Sequence, residues 1–328
     1  MNRYNVRPSV ACEAAVSDGR ELAKRLEKKV AVVTGGGRGI GRAVALLLAS
    51  EGASVVVNDL GCDVDGSGAS RDPADRVVDE IRSGDGKAAA SYADVAEMAG
   101  GEAVVKTALD SFGRLDILVN SVAVLKDRMV FQMAPQDFGL IIRNNLKGTF
   151  SPTKHACILF RQQRSGRIVN MTSDAGLGDV GRANYAAASE GIIGLTRTVA
   201  RDMGKYGVTC NAISPLASTR LFPGGVAEYR GDGVPGHTSA QRAGLGPPDP
   251  AARWDGEDSP DGPENAAALA ALLCTDALPE VNGRVFGVRG GTIFLYSEPE
   301  VERSVYKWGT FTLDELDLMV PRALGTGF

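Results

Sequence analysis

The chain has 328 residues, 44% of them hydrophobic and 23% charged, with a formal net charge of -4. That size and balance suit one large α/β domain. A slightly acidic chain with no Lys/Arg-rich run carries no footprint for nucleic acid, and no run approaches the roughly 18 apolar residues of a membrane span.

Residues 1–28 read as a polar N-terminal extension ending in a short charged helix, ELAKRLEKK. They lack the apolar stretch of a signal peptide, so a cytoplasmic location is expected. From Val30 onward, β-branched apolar runs at 30–34, 54–59, 87–91, 116–120, 167–172, 208–214 and 284–288 predict seven strands. Helices fit between them at about 39–51, 73–83, 99–112, 136–162, 184–204 and 264–275. Near-continuous apolar strands alternating with helices predict a Rossmann-type, doubly wound parallel sheet with helices on both faces. The expected domain spans 29–296. Within it, 216–263 is dense in Gly, Pro and Asp and reads as an insertion that forms a substrate lid. In a C-terminal extension, 297–328, Thr312 and Glu315 form a capping box before a helix that Pro321 is expected to stop.

The five cysteines, Cys12, Cys62, Cys157, Cys210 and Cys274, show no Cys-x-x-Cys spacing. They read as free thiols in a reducing compartment. With only His155 and His237 available as imidazoles, no metal site is expected.

After the first strand comes Thr34-Gly35-Gly36-Gly37-Arg38-Gly39-Ile40-Gly41, followed by an apolar helix. Glycines there let the backbone turn tightly and approach a pyrophosphate resting on the helix N-terminus. Asp59 stands eighteen residues beyond Gly41, at the end of the second strand. A carboxylate there accepts hydrogen bonds from an adenosine ribose and repels a 2′-phosphate. A dinucleotide site is therefore expected.

Farther on, Ser173 ends an apolar run and Tyr185, twelve residues later, opens an alanine-rich helix. Ser189 lies one turn past Tyr185, on the same face. Together with Asn145 in Asn144-Asn145-Leu146-Lys147-Gly148, these segments resemble the short-chain dehydrogenase/reductase family over about residues 29–296. VVVNDLGCDVDG further resembles its long-loop branch, which includes peroxisomal multifunctional hydroxyacyl-CoA dehydrogenases.

The resemblance implies that Tyr185 is the general acid/base, that Ser173 binds the substrate oxygen, and that Asn145 holds a relay water. Thr172 is a further candidate for the serine role, because the Ser–Tyr interval is one residue short of the commonest. Gly35, Gly37, Arg38, Gly39, Ile40, Gly41, Asp59, Asp94, Val95, Asn120 and Pro215 match cofactor-binding positions. Asp59 favours NAD, whereas Arg38 is a residue type often seen with NADP. Family habit, with the alanine-rich helix, suggests a homodimer or homotetramer.

Singly, each catalytic candidate also suits a structural place: Ser173 a strand end, Tyr185 a core aromatic, Asn145 a helix cap. The departures from the family cluster at the nicotinamide end. Ser189 stands where the family has lysine, Asn120-Ser121-Val122-Ala123 stands where it has Asn-Asn-Ala-Gly, and Leu216 follows Pro215 in place of glycine. Three readings stay open. The first is an NAD(H)-dependent reductase of a keto, hydroxyacyl or polyketide-like substrate. The others are a non-redox dehydratase, isomerase or cyclase using the Ser/Tyr pair, and a non-catalytic homologue.

Overall fold

Eight strands form one sheet in the order β3-β2-β1-β4-β5-β6-β7-β8. They are β1 (Val30–Thr34), β2 (Ser54–Asn58), β3 (Lys87–Ser91), β4 (Ile117–Asn120), β5 (Gly166–Met171), β6 (Val208–Leu216), β7 (Val285–Arg289) and β8 (Thr292–Leu295). The computed structural model describes residues 24–223 and 262–325. Every pairing is parallel except β7 with β8. The chain divides into two compact units, one ending at Leu295 and the other beginning at Tyr296.

The period-2 alternation of the strands sorts their side chains into two cores. Ala31 and Val33 of β1, Val55 and Val57 of β2, and Ile117 and Val119 of β4 point to one face. There they pack on helices α1 (Gly39–Ser50), α2 (Asp72–Ser83) and α7 (Glu264–Leu273) through residues such as Leu48, Ile81 and Leu269. Val30, Val32, Val56 and Leu118 point to the other face. Val104 of α3 (Met98–Phe112), Phe160 of α5 (Gly148–Gln163) and Met203 of α6 (Ala183–Gly204) cover them. Because both faces are covered, the central strands are apolar at nearly every position.

The sheet order reverses between β1 and β4, and the crevice at their carboxyl ends is where such sheets bind ligands. Beneath it, Asn120 Nδ2 donates to Thr153 Oγ1 (3.0 Å) and to Asn170 Oδ1 (2.8 Å). Asn170 Nδ2 in turn donates to Thr196 Oγ1 (2.9 Å). This fully buried polar chain ties β4 and β5 to α5 and α6.

Four expectations need correction. The sheet has an eighth strand, β8, which turns back after Gly290-Gly291 and pairs antiparallel with β7; a two-glycine link between apolar runs is a hairpin signal. The helix expected over 136–162 is three pieces: α4 (Pro135–Ile141), a π-helical segment (Ile142–Lys147) and α5. The described part of ELAKRLEKK is a turn that buries Leu26 in the first core. In the second unit the capping box of Thr312 and Glu315 is present, but α8 (Leu313–Ala323) runs through Pro321. Pro321 offers no N–H to the Asp317 carbonyl, so the helix gives up one bond in its last turn and ends two residues later, at Ala323.

Most of the expected lid, residues 224–261, lies outside the described residues, as do Cys12 and His237. Among the described residues, no helix is long and apolar enough to cross a membrane, and no group of three or more His, Cys, Asp or Glu side chains is arranged to hold a metal ion.

Candidate active site

A cleft of about 1260 Å³, open to solvent, lies over the crevice between β1 and β4. One end is built by the glycine loop. Helix α1 begins at Gly39 with no side-chain cap and no acidic residue in its first turn, which leaves its N–H groups available to an anion. Gly39 adopts φ +51°, and Gly41 packs so tightly that a Cβ there would meet the Gly35 carbonyl oxygen at 2.1 Å. Only glycine serves both positions.

Asp59 braces this loop. Its carboxylate accepts the Gly37 N–H at 2.9 Å and the Gly61 N–H at 2.7 Å. Gly37 is thereby held under the loop and is not among the residues lining the cleft, whereas Gly35, Arg38, Gly39, Ile40, Gly41 and Asp59 are. The Arg38 guanidinium does not pair with Asp59. It donates to the Cys62 carbonyl at 2.9 Å, where Arg220 donates as well, also at 2.9 Å. Asp94 and Val95 also line the cleft. The Asp94 carboxylate accepts Ala96 N–H (3.0 Å) and Arg143 (2.6 Å), and so links the adenine side to the π-helical segment.

That segment carries Asn145, which is 2% exposed. Its amide is spent on one residue, Oδ1 accepting from Val124 N–H (2.9 Å) and Nδ2 donating to Val124 C=O (3.1 Å). The extra residue of a π turn shifts the helix face locally, a common device at functional sites, and here it brings Asn145 to the cleft wall.

Tyr185, the third residue of α6, also lines the cleft and is 7% exposed. Burial pushes its phenol up to about 12, partly offset by Ser173 and by Arg182, while Asp174 and Asp127 push it further up. At neutral pH it is a protonated donor. Phe222 meets the Tyr185 ring edge-on at 6.4 Å, and Arg182 lies 5.2 Å over Phe222. Ser173 is absent from the cleft lining but close enough to influence the phenol; its Oγ accepts the Ala175 N–H at 3.2 Å. Thr172 lines the cleft, yet its hydroxyl is engaged with the Ser189 carbonyl at 2.8 Å.

Ser189 is 3% exposed and faces the cleft one turn beyond Tyr185. Among the described residues no lysine lines this space: Lys147 pairs with Glu97 at 3.3 Å, and Lys154 is exposed. Glu190 is exposed and points to Gly176. Pro215 lines the cleft, while Asn120 lies below it in the buried amide chain.

The family model described as short chain dehydrogenase matches residues 29–220. This chain belongs to that family. A crystal structure of a short chain dehydrogenase from Mycobacterium avium superposes with a TM-score of 0.75 at 35% identity, covering 93% of this chain and 97% of that one. A hydroxyacyl-CoA dehydrogenase of Mycobacterium tuberculosis is 37% identical, over 87% of this chain and 84% of its own length. Peroxisomal multifunctional enzyme type 2 of Drosophila melanogaster is 46% identical over 63% of this chain. The chain spans less than half the length of the peroxisomal multifunctional relatives it matches, from 21% to 45% of each.

Short-chain dehydrogenases usually use NAD or NADP, and the uncapped α1 N-terminus, glycine loop and Asp59 suit the diphosphate and ribose of such a dinucleotide. Reading the sequence took 216–263 as a lid but did not single out the wall formed by Thr219, Arg220, Leu221 and Phe222, which line the cleft beyond β6. It also missed Arg182, the cation stacked on that wall. The wall follows the end of β6 and Arg182 is the N-cap of α6, but no spacing rule points to them.

Proposed function

We propose that this protein is an NAD(H)-dependent reductase of keto or hydroxyacyl-type thioesters, biased toward carbonyl reduction. The observation that carries the reading is Tyr185: a buried phenol, held protonated, in a cleft that no lysine lines among the described residues. When bound, the nicotinamide supplies the hydride. The chain's own residues do the rest. Charge develops on the substrate oxygen as hydride reaches the carbonyl carbon, and donors must already be aimed at it. The Tyr185 O–H lies in the cleft to give that proton, with Ser173 beside it as the second donor. The reverse reaction needs a phenolate, and a phenol near 12 provides little of it at neutral pH. Asn145 would order the relay from the cleft wall, through the Asn145–Val124 pairing that fixes its position.

The preference for NAD over NADP rests on the Asp59 carboxylate, which lies in the cleft wall beside the loop. Calorimetry with NADH and NADPH tests it, and tighter NADPH binding would sink it. The homologous hydroxyacyl-CoA dehydrogenase supports the acyl-thioester class. Turnover of acetoacetyl-CoA followed by nicotinamide absorbance tests the activity. A second reading, non-redox carbonyl chemistry by the Ser173–Tyr185 pair, draws on Ser189, Val122 and Leu216 at the nicotinamide end. It predicts product formation with no absorbance change. A cytoplasmic homodimer or homotetramer is proposed, and sedimentation of the purified chain tests the assembly.

A further inference from the structure

We propose that Arg289, at the end of β7, is a positioning residue that sets the proton balance of the Ser173–Tyr185 pair through Asp174, an inference that rests on the reductase reading above. Its guanidinium meets Asp174 Oδ2 at 2.6 Å, and the two side chains are only 16% and 12% exposed. Asp174 follows Ser173 directly, and its other oxygen, Oδ1, lies 3.5 Å from Ser173 Oγ. A carboxylate here without the Arg289 guanidinium would draw more strongly on the Ser173 hydroxyl and turn it from the substrate oxygen. It would also set a negative charge against Tyr185. Arg289 is held in turn from its far side: its guanidinium lies 5.4 Å over the ring of Phe294 on β8, and a planar cation on an aromatic face keeps its orientation. The antiparallel strand thus has a task at the site, since β8 seats the arginine that occupies Asp174.

The other charges facing Tyr185 are already paired. Arg182, the N-cap of α6, bonds Asp127 of the β4–α4 connection at 2.9 Å and Asp179 at 3.0 Å. Two ion pairs therefore flank the tyrosine, and Asp174 acts on it with the sign of a neighbouring anion. Removing Asp174 while Arg289 stays leaves a net cation near the phenol and favours the phenolate. Removing Arg289 while Asp174 stays does the reverse. A pair that serves only stability gives no such opposite signs.

The test uses the full chain and four variants: Asp174→Asn, Arg289→Met, Arg289→Lys and Asp174→Asn/Arg289→Met. For each, kcat is measured for acetoacetyl-CoA reduction with NADH and for 3-hydroxybutyryl-CoA oxidation with NAD, from pH 7 to 10. In Asp174→Asn the ratio of oxidation to reduction should rise at least about threefold, and in Arg289→Met it should fall by a similar factor. Arg289→Lys should keep the wild-type ratio, and the double variant should return towards it. Ratios unchanged within about twofold in both single variants, with the wild type turning over, would overturn the inference. If Arg289→Met does not fold, Asp174→Asn still carries the sign. A second readout needs no turnover: the 13Cζ resonance of Tyr185 in tyrosine-labelled protein, assigned with Tyr185→Phe. Its titration should begin at lower pH in Asp174→Asn than in wild type. An unmoved onset overturns the inference even if neither thioester is a substrate, whereas a moved onset with no turnover in the wild type overturns only the reductase reading.

Discussion

Ser189 and Tyr185 occupy one face of α6, a turn apart, and both are buried against the cleft. That adjacency gives the missing ammonium a definite location. Ser189→Lys should lower the Tyr185 pKa and raise alcohol oxidation, with its pH optimum moving toward neutrality. Nicotinamide absorbance against a panel of hydroxyacyl thioesters, across pH, checks this; a silent substitution would contradict it. Tyr185→Phe should cut carbonyl reduction at least about a hundredfold while leaving the fold intact. The same phenol links stability to pH. With its folded value near 12 against an ordinary value of about 10, Tyr185 contributes stability fully present below about pH 10. That contribution is lost as pH rises through 12. Unfolding by urea between pH 9 and 11.5 should show a shallower alkaline loss in Tyr185→Phe than in wild type.

At the scale of elements, the junctions matter more than the elements themselves. The turn between β1 and α1 is closed by Gly41 against the Gly35 carbonyl and braced by Asp59 at the end of β2. Gly41→Ala inserts a Cβ at 2.1 Å from backbone oxygen, so the loop must open. Dinucleotide affinity should fall at least about tenfold by calorimetry, with much less effect from Gly139→Ala, where nothing stands within 4 Å. Asp59→Ala removes the acceptor of two backbone N–H groups and, on the proposed preference for NAD, the charge that would oppose a 2′-phosphate. NADH binding should weaken and the NADH-to-NADPH preference should shrink. The π-helical segment works by the same logic. Arg143 within it holds Asp94, and Asn145 within it holds Val124, so one irregular turn connects the two ends of the cleft.

Across the whole molecule, the amide chain Asn120–Asn170–Thr196 holds the tyrosine-bearing helix to the sheet. All three side chains are at most 2% exposed, so an unmatched partner has no water to turn to. Asn170→Ala takes one buried partner from each of Asn120 and Thr196, which keep their bonds to Thr153 and Ile192, and should destabilise the protein by about 2 kcal/mol, read by urea unfolding. Turnover per folded molecule should also drop, because α6 loses its tether near the site.

Strands, helices and the phosphate loop were legible because each is written in a local period: alternating or continuous valines for β1 and β2, spaced apolar residues for α1, glycines at fixed offsets before it. Asn145, Ser173 and Tyr185 were readable only as a set, through their order and local surroundings. The sequence by itself determined the parallel α/β architecture and the absence of a lysine after Tyr185. Local rules do not reveal which partner a side chain meets once distant segments pack. Tertiary structure alone decided that Asp59 braces Gly37, that Arg38 turns to Cys62, and that among the described residues no lysine lines the cleft in place of the missing one. It also decided that Arg289, 115 residues from Asp174, closes on it. Those pairings depend on which strand ends the sheet brings side by side, and strand order is a property of the assembled sheet rather than of any one segment.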